Sequence, residues 1–378
     1  MRIPLSRPSI GNPELKMVSR VFESGWLGEG KFTGMFEERI AAFTGAKHAV
    51  AVNTGTSALH LAMDALGIGK GDEVILPSLT FSSDPMAVVF CGAKPVFCDI
   101  DEDTLNIDPK KIGKLITPRT KAVMPTDFAG LLCDVKAIRR VIGRRNIKII
   151  RDASHSFGST SRSKVTGLLP DEDAVCCSFD PIKNLTCGEG GVILLKDGDI
   201  AEKIRSQKNL GYKKAAWSAF TIKRDVGRRV MQKGFRYHMS NINAAIGLAQ
   251  LKRFEKLARK KQAIAKRYDG LLAKNENITL LKRNYDNIVP FMYIIRANAK
   301  DRDDLIKYLN DHDIHAALRY YPCHLQPFFR QGRKRLPVTE RIAKEILSIP
   351  LFYDLTMKQV KRITSLINDY YGKGKMRR

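Results

Sequence analysis

Short apolar runs at Ala49–Val52, Glu73–Leu76, Pro95–Cys98, Ala122–Met124, Lys148–Arg151, Ala174–Phe179 and Gly191–Leu195 punctuate the first half of this chain. Between them lie segments of helical pattern: Ser57–Leu66, Ser82–Phe90, Pro109–Leu115 and Val135–Ile142. A strand that is apolar almost throughout is buried on both faces, and parallel strands need a long crossover, usually a helix. The alternation therefore predicts an α/β fold, a mainly parallel sheet with helices on both faces. A chain of 378 residues, 44% hydrophobic, can build that unit and a smaller one beside it. We expect a large unit over residues 1–245 and a smaller C-terminal α+β unit over 246–378. A long helix from about Asn241 to Ala273 would link them, with a strand at Ile288–Arg296, a helix at Arg302–Asp311 and a strand at Ile314–Tyr320.

Chemistry concentrates where such strands end, because ligands of open α/β sheets bind at the carboxyl edge. The run Ala174–Phe179 ends in a polar turn carrying Lys183, and Gly188-Glu-Gly-Gly follows. A lysine desolvated at that edge can form a Schiff base with an aldehyde cofactor. Lys148–Arg151 leads to Asp152, with His155 three residues on. A carboxylate at the end of a neighbouring strand suits the ring nitrogen of pyridoxal phosphate, whose pyridinium is an electron sink. Taken alone, such an aspartate is most often a helix cap and such a lysine a solvated one. Ala49–Val52 runs into Asn53-Thr-Gly-Thr-Ser and then a helix, and a helix N-terminus with free N–H groups is an anion site. That turn is neither a Walker loop nor a G-x-G-x-x-G fingerprint. Phe81, just after the second strand, is either a core residue or a platform for a planar ring.

Taken together and in order, Asn53-Thr-Gly-Thr-Ser-Ala-Leu-His, Gly71-Asp-Glu-Val-Ile-Leu-Pro, Asp152-Ala-Ser-His, Ser178-Phe-Asp-Pro-Ile-Lys-Asn and Gly188-Glu-Gly-Gly resemble the DegT/DnrJ family of pyridoxal-phosphate sugar aminotransferases. Ser24-Gly-Trp-Leu-Gly-Glu-Gly, His238-Met-Ser-Asn-Ile-Asn-Ala-Ala-Ile-Gly and Tyr320-Tyr-Pro-Cys-His extend the likeness over nearly the whole chain. The resemblance implies the fold-type I aminotransferase architecture, with a seven-stranded sheet, and a homodimer whose site lies at the interface. It implies that Lys183 holds the cofactor and shuttles the proton, and that Asp152 meets the ring nitrogen. His155 would sit near the phenolic oxygen, Phe81 would stack on the ring, and Gly55, Thr56 and Ser178 would hold the phosphate. Where many relatives have an asparagine that reaches the partner's phosphate, this chain has Arg236, which could make a charge-assisted bond instead. Asp180 stands where relatives often carry histidine.

Relatives with histidine at position 183 dehydrate the sugar, so lysine favours transamination. The expected reaction moves an amino group from an amino acid, L-glutamate by family analogy, to a nucleotide-linked keto-deoxysugar at C4, yielding an amino-sugar for glycan biosynthesis. A C3-keto-sugar, a cyclitol or a keto-sugar acid is the alternative acceptor.

Charge raises a rival reading. With 65 Lys and Arg against 39 Asp and Glu the net charge is +26, enough to attract polyanions at low salt. A non-catalytic nucleic-acid-binding or regulatory protein is the second alternative, but no helix-turn-helix, zinc finger or aromatic stacking motif is present, and the lysine–aspartate pair argues against it. Instead, we expect part of the charge to serve substrate pyrophosphate, with Arg228 and Arg229 as contacts and Arg319, Tyr321 and His324 nearer the sugar. The seven scattered cysteines lack metal spacing, so no metal site is expected, and their odd number suits reduced thiols in a cytoplasm. No run approaches the length of a membrane span, and Met1-Arg-Ile-Pro-Leu-Ser-Arg lacks the apolar core of a signal peptide.

Overall fold

Alternation of side chains across each strand builds two cores on one sheet. In a computed structural model that describes residues 2–161, 164–165, 167–212, 229–330 and 335–374, seven strands form this sheet. They are β1 (His48–Val52), β2 (Glu73–Pro77), β3 (Lys94–Cys98), β4 (Thr120–Val123), β5 (Lys148–Asp152), β6 (Ala174–Ser178) and β7 (Gly191–Leu195). Their spatial order is β1-β7-β6-β5-β4-β2-β3, with β7 antiparallel to both neighbours and all other pairs parallel.

Val50, Val52, Leu76, Ile150, Cys176 and Ile193 point to one face. There they pack on α3 (Gly55–Ala65), α4 (Ser83–Phe90) and α6 (Gly198–Gln207). The alternate residues Ala49, Ala51, Val175, Cys177 and Leu194 meet α1 (Asn12–Glu23), α2 (Lys31–Thr44) and α7 (Asn241–Lys252). Farther along that second face Ile75, Val123 and Ile149 pack on α5 (Val135–Ile142). The adjacent Cys176 and Cys177 thus enter opposite cores, and all seven cysteines are buried and outside any disulfide. β1, β5 and β6 all run the same way, so their carboxyl ends share one edge.

A separate core surrounds an antiparallel sheet of β8 (Ile278–Leu280), β9 (Tyr293–Ala297) and β10 (Ile346–Ile349). It is covered by α8 (Phe254–Leu272), α9 (Arg302–Asp311) and α11 (Met357–Gly374), while α10 (Pro337–Glu345) leads into β10.

Three expectations need correction. The linking helix is broken into α7 and α8 at Arg253, whose ψ of 9° is not helical. Its guanidinium bonds the carbonyl of Ser9 and pairs with Glu14, and those tertiary contacts hold the corner. Ile314–Tyr320 is not a strand: Ile314 bridges Ile3 and Ala317 bridges Ser348, two different partners, before the chain turns toward the large sheet. Ile3 also packs in the core around β8, β9 and β10, with its N–H on the Asp313 carbonyl at 2.8 Å. Finally, the strand expected from Ile288 begins only at Tyr293, because the carbonyls of Val289 and Phe291 accept from the Asn184 and Lys261 side chains instead of from a strand partner.

Candidate active site

A cavity of about 430 Å³ opens at the shared carboxyl edge, between β1, β5, β6 and the segment Leu318–Tyr320. A larger open groove, about 810 Å³, runs along Leu251–Lys260, but its polar lining is the charged surface of two helices and it holds none of the strand-end residues. The smaller cavity is where the chemistry collects.

Asp152 is the last residue of β5 and only 4% exposed. Its Oδ1 accepts from the Ser154 N–H at 2.9 Å and from the Ser154 hydroxyl. One residue earlier, Arg151 points to the other face, bonding Asp127 at 2.6 Å, Glu172, and the Gly167 carbonyl at 2.8 Å. Asp127 also accepts from the Ser156 hydroxyl at 2.6 Å. The loop carrying His155 is thereby tied to the buried ion pairs beneath the sheet.

Lys183 sits half-buried in the turn after β6, closed by a bond from its N–H to the Asp180 carbonyl at 3.0 Å and from Ile182 N–H to Asp180 Oδ1 at 3.0 Å. Its Nζ lies 4.3 Å from the centre of the Phe291 ring. Burial pushes its pKa down, against the pull of Asp152, Asp180 and Asp84, and Arg319 adds to the depression. An amine so placed loses its proton more readily than a surface lysine does.

The third component is the start of α3. Thr54 caps the helix by accepting from Ser57 N–H at 3.1 Å, which leaves Gly55 and Thr56 at the cavity wall. Glycine is required at 55, since a Cβ there would fall 2.7 Å from the Ser178 Cβ. Gly191, at the start of the reversed strand, is equally constrained: a Cβ would lie 2.4 Å from the Thr54 carbonyl oxygen. These close approaches bring a helix N-terminus and the Ser178 hydroxyl to one anion-sized corner.

Aromatic walls complete the cavity. Phe81 lines it, 53% exposed, with its ring 5.7 Å from that of Tyr320. His155 is buried, stacked on Phe291 at 4.3 Å, with Nε2 3.2 Å from the Tyr320 hydroxyl. Its Nδ1 is buried without a hydrogen-bond partner among the described residues. Burial holds its pKa well below the usual imidazole range, helped by Lys183 and Arg319, so the ring is neutral.

Of the residues singled out from sequence, Gly55, Thr56, Phe81, Asp152, His155, Ser178, Lys183 and Arg319 share this cavity. Tyr321 is 55% exposed and does not line it, and neither does His324. His324 is buried between the Ser78 hydroxyl at 2.6 Å and Glu340 at 3.4 Å. Arg236 and Arg229 are exposed and line no part of this chain's own cavity, and Arg228 lies outside the described residues. Sequence reasoning missed Tyr320 and Phe291, which act on the site from the C-terminal unit. It also missed Asp84, whose position in the first turn of a helix reads as an ordinary cap-region acid.

The site has close counterparts. Spore coat polysaccharide biosynthesis protein SpsC of Bacillus subtilis is 37% identical over 97% of this chain and 96% of its own length. The crystal structure of the aminotransferase TlmJ from Streptoalloteichus hindustanus superposes with a TM-score of 0.91 at 31% identity, covering 99% of this chain and 100% of TlmJ. Helicobacter pylori PseC, an aminotransferase involved in the biosynthesis of pseudoaminic acid, gives a TM-score of 0.90 at 26% identity over 99% of this chain and 100% of PseC. A strand-end lysine and aspartate facing a helix N-terminus, on a sheet shared with these enzymes and matched over residues 8–368, carry the assignment: the chain belongs to the DegT/DnrJ/EryC1/StrS aminotransferase family.

Proposed function

We propose that this pyridoxal-phosphate-dependent sugar aminotransferase moves the amino group of L-glutamate to C4 of a nucleotide-linked keto-deoxysugar, in the cytoplasm, as a homodimer. The observation that carries the reading is the desolvated Lys183 amine in one cavity with the buried Asp152 carboxyl.

The residues present fit the cofactor. The corner that a Cβ at Gly55 would fill has the N–H groups and hydroxyls a phosphate needs. The unpartnered Nδ1 of neutral His155 suits a contact with the phenolic oxygen, and Asp152 suits the ring nitrogen. When bound, pyridoxal phosphate supplies an electron sink for carbanion formation next to the amine. Lys183 Nζ then has two tasks, holding the cofactor and moving the proton of the donor's α-carbon, and both need the free amine that burial favours. Phe291 covers one side of that amine, its ring centre 4.3 Å from Nζ. Arg319 at the cavity mouth suits an anionic group of donor or acceptor. Arg229, with Arg228, suits the pyrophosphate of a nucleotide sugar, and Arg236 a phosphate in the partner's site.

The test is an absorbance titration of the purified protein with pyridoxal phosphate, then glutamate, alongside Lys183→Ala. A band near ~420 nm that moves toward ~330 nm on adding glutamate, and is missing from the variant, supports the reading. Turnover should fall by about 10²–10⁴-fold in Lys183→Ala, the usual contribution of such a base. A wild-type protein that takes up no cofactor, or a C3-amino product from a panel of keto-sugars, would overturn the corresponding part.

A further inference from the structure

Behind Asp152 lies a carboxyl group that the reaction above does not use. Asp84, in the first turn of α4, is fully buried. Its Oδ2 accepts from the Thr80 hydroxyl at 2.5 Å and the Thr126 hydroxyl at 2.7 Å, and its Oδ1 from the Ser83 hydroxyl at 3.2 Å. The charged group that acts on it from the site is the Asp152 carboxyl, at the end of the neighbouring strand β5. Thr126 and Asp152 are also bridged through their backbones, so the two acids are held together from β4 and β5 as well as from α4. No arginine or lysine forms a salt bridge with Asp84 among the described residues. The titratable groups that feel its charge are Asp152, Lys183, Tyr320, Cys176 and Cys323.

Two buried carboxyls in contact cannot both ionise, so one proton serves the pair. Asp152 has the Ser154 N–H and hydroxyl to stabilise its charge and faces the cavity, while Asp84 is sealed among hydroxyls. We propose that Asp84 is the neutral acid of the pair, donating its proton as a hydrogen bond to the Asp152 carboxylate, and is thus a positioning residue that sets how strongly Asp152 binds a cationic ring nitrogen. The pair then carries a single negative charge, the complement of one pyridinium. Burial, with the charge of Asp152, raises the Asp84 pKa well above the usual carboxylate range, in keeping with this assignment. The second half of the inference rests on the cofactor reading above; the first half, the site of the proton, does not.

The sign of the pH effect follows. Asp84 holds its proton in the folded state and loses it in the unfolded chain above about pH 4. Its contribution to stability is therefore fully present below that pH and is lost as pH rises toward the folded value. Asp84→Asn keeps the shape, the neutral charge and a donor, but cannot ionise in either state. The melting temperature of wild type should fall relative to Asp84→Asn by several degrees between pH 4.5 and pH 8, measured on the cofactor-loaded enzyme. A gap that stays constant across that range places no proton on Asp84 and overturns the inference. The second measurement is the ¹⁵N chemical shift of labelled pyridoxal phosphate in wild type, Asp84→Asn and Asp84→Leu. It should hold in the amide variant and move in Asp84→Leu, which removes the donor; an unmoved signal in both shows a merely structural residue. If wild type binds no pyridoxal phosphate, the functional reading fails, and the same melting comparison on the unloaded protein still decides whether the buried pair holds a proton.

Discussion

Arg151 and Asp152 are neighbours on one strand, and their side chains enter opposite environments. On the Arg151 side every buried charge is answered: the guanidinium meets Asp127, Glu172 and a carbonyl. Burial works against that charge, but the two carboxylates outweigh it and push its pKa up. On the Asp152 side the charges are left short. Asp152 faces another carboxyl, Lys183 faces an aromatic ring, and the buried Lys261 amine has, among the described residues, only the Asn184 amide oxygen at 2.7 Å and the Phe291 carbonyl at 3.3 Å. Matched charges lock a geometry and titrate outside the useful range, whereas mismatched ones are costly and titrate where chemistry needs them. The fold places one set directly behind the other, so the compensated network holds the uncompensated site in shape.

The largest effect expected from breaking this arrangement is on stability. Arg151→Met leaves Asp127 and Glu172 buried without a cation, which should cost about 3–5 kcal/mol in denaturant unfolding. A loss below about 1 kcal/mol would mean that the network is not the anchor of the site loop, and the contrast between the two sides of β5 would fail.

How much of this was legible beforehand follows the same division. The seven strands stand within a few residues of the apolar runs, because strands buried on both faces declare themselves by composition. Lys183, Asp152 and Gly55 were legible because each sits at a strand end or a helix start, where local sequence fixes position. The helix break at Arg253 was hidden, since its cause is a contact with Ser9 and Glu14 far away in the chain. Phe291, Tyr320 and Asp84 were hidden for the same reason: local pattern assigns them to a strand, another strand and a helix start, and only tertiary packing brings Tyr320 to the cavity wall, Phe291 over Lys183 and Asp84 behind Asp152. β10 and α1 were also unread, though their apolar patterns are ordinary.

A smaller effect of opposite sign is expected at Lys261. Burial, with the nearby Lys183, lowers its pKa to about 7. The unfolded amine titrates near its ordinary ~10.4, so between these values the unfolded chain holds the extra proton. Wild-type stability should therefore rise as pH increases from about 7 toward ~10.4 and be complete only above it. Lys261→Met removes the titration, so it should stabilise the protein at pH 7 by on the order of 1–3 kcal/mol, with an advantage that shrinks toward pH 10. A methionine variant that is less stable at pH 7 would show that the bonds to Asn184 and Phe291 outweigh the desolvated charge.

The smallest effect sets the scale for the rest. Arg259 and Glu255 pair at 3.3 Å on the solvent face of α8, with side chains 79% and 78% exposed. Water screens such a pair, and the side-chain entropy lost in forming it offsets most of the attraction. Arg259→Ala should change unfolding stability by no more than about 0.5 kcal/mol, and less still at high salt. The chain carries +26 net charge, so removing one exposed cation also relieves a little self-repulsion, which pushes the result toward zero. A cost comparable to that of Arg151→Met would mean that charge stabilises this protein wherever it sits; a near-zero result leaves desolvation as what separates the charges that shape the site from those that only dress the surface.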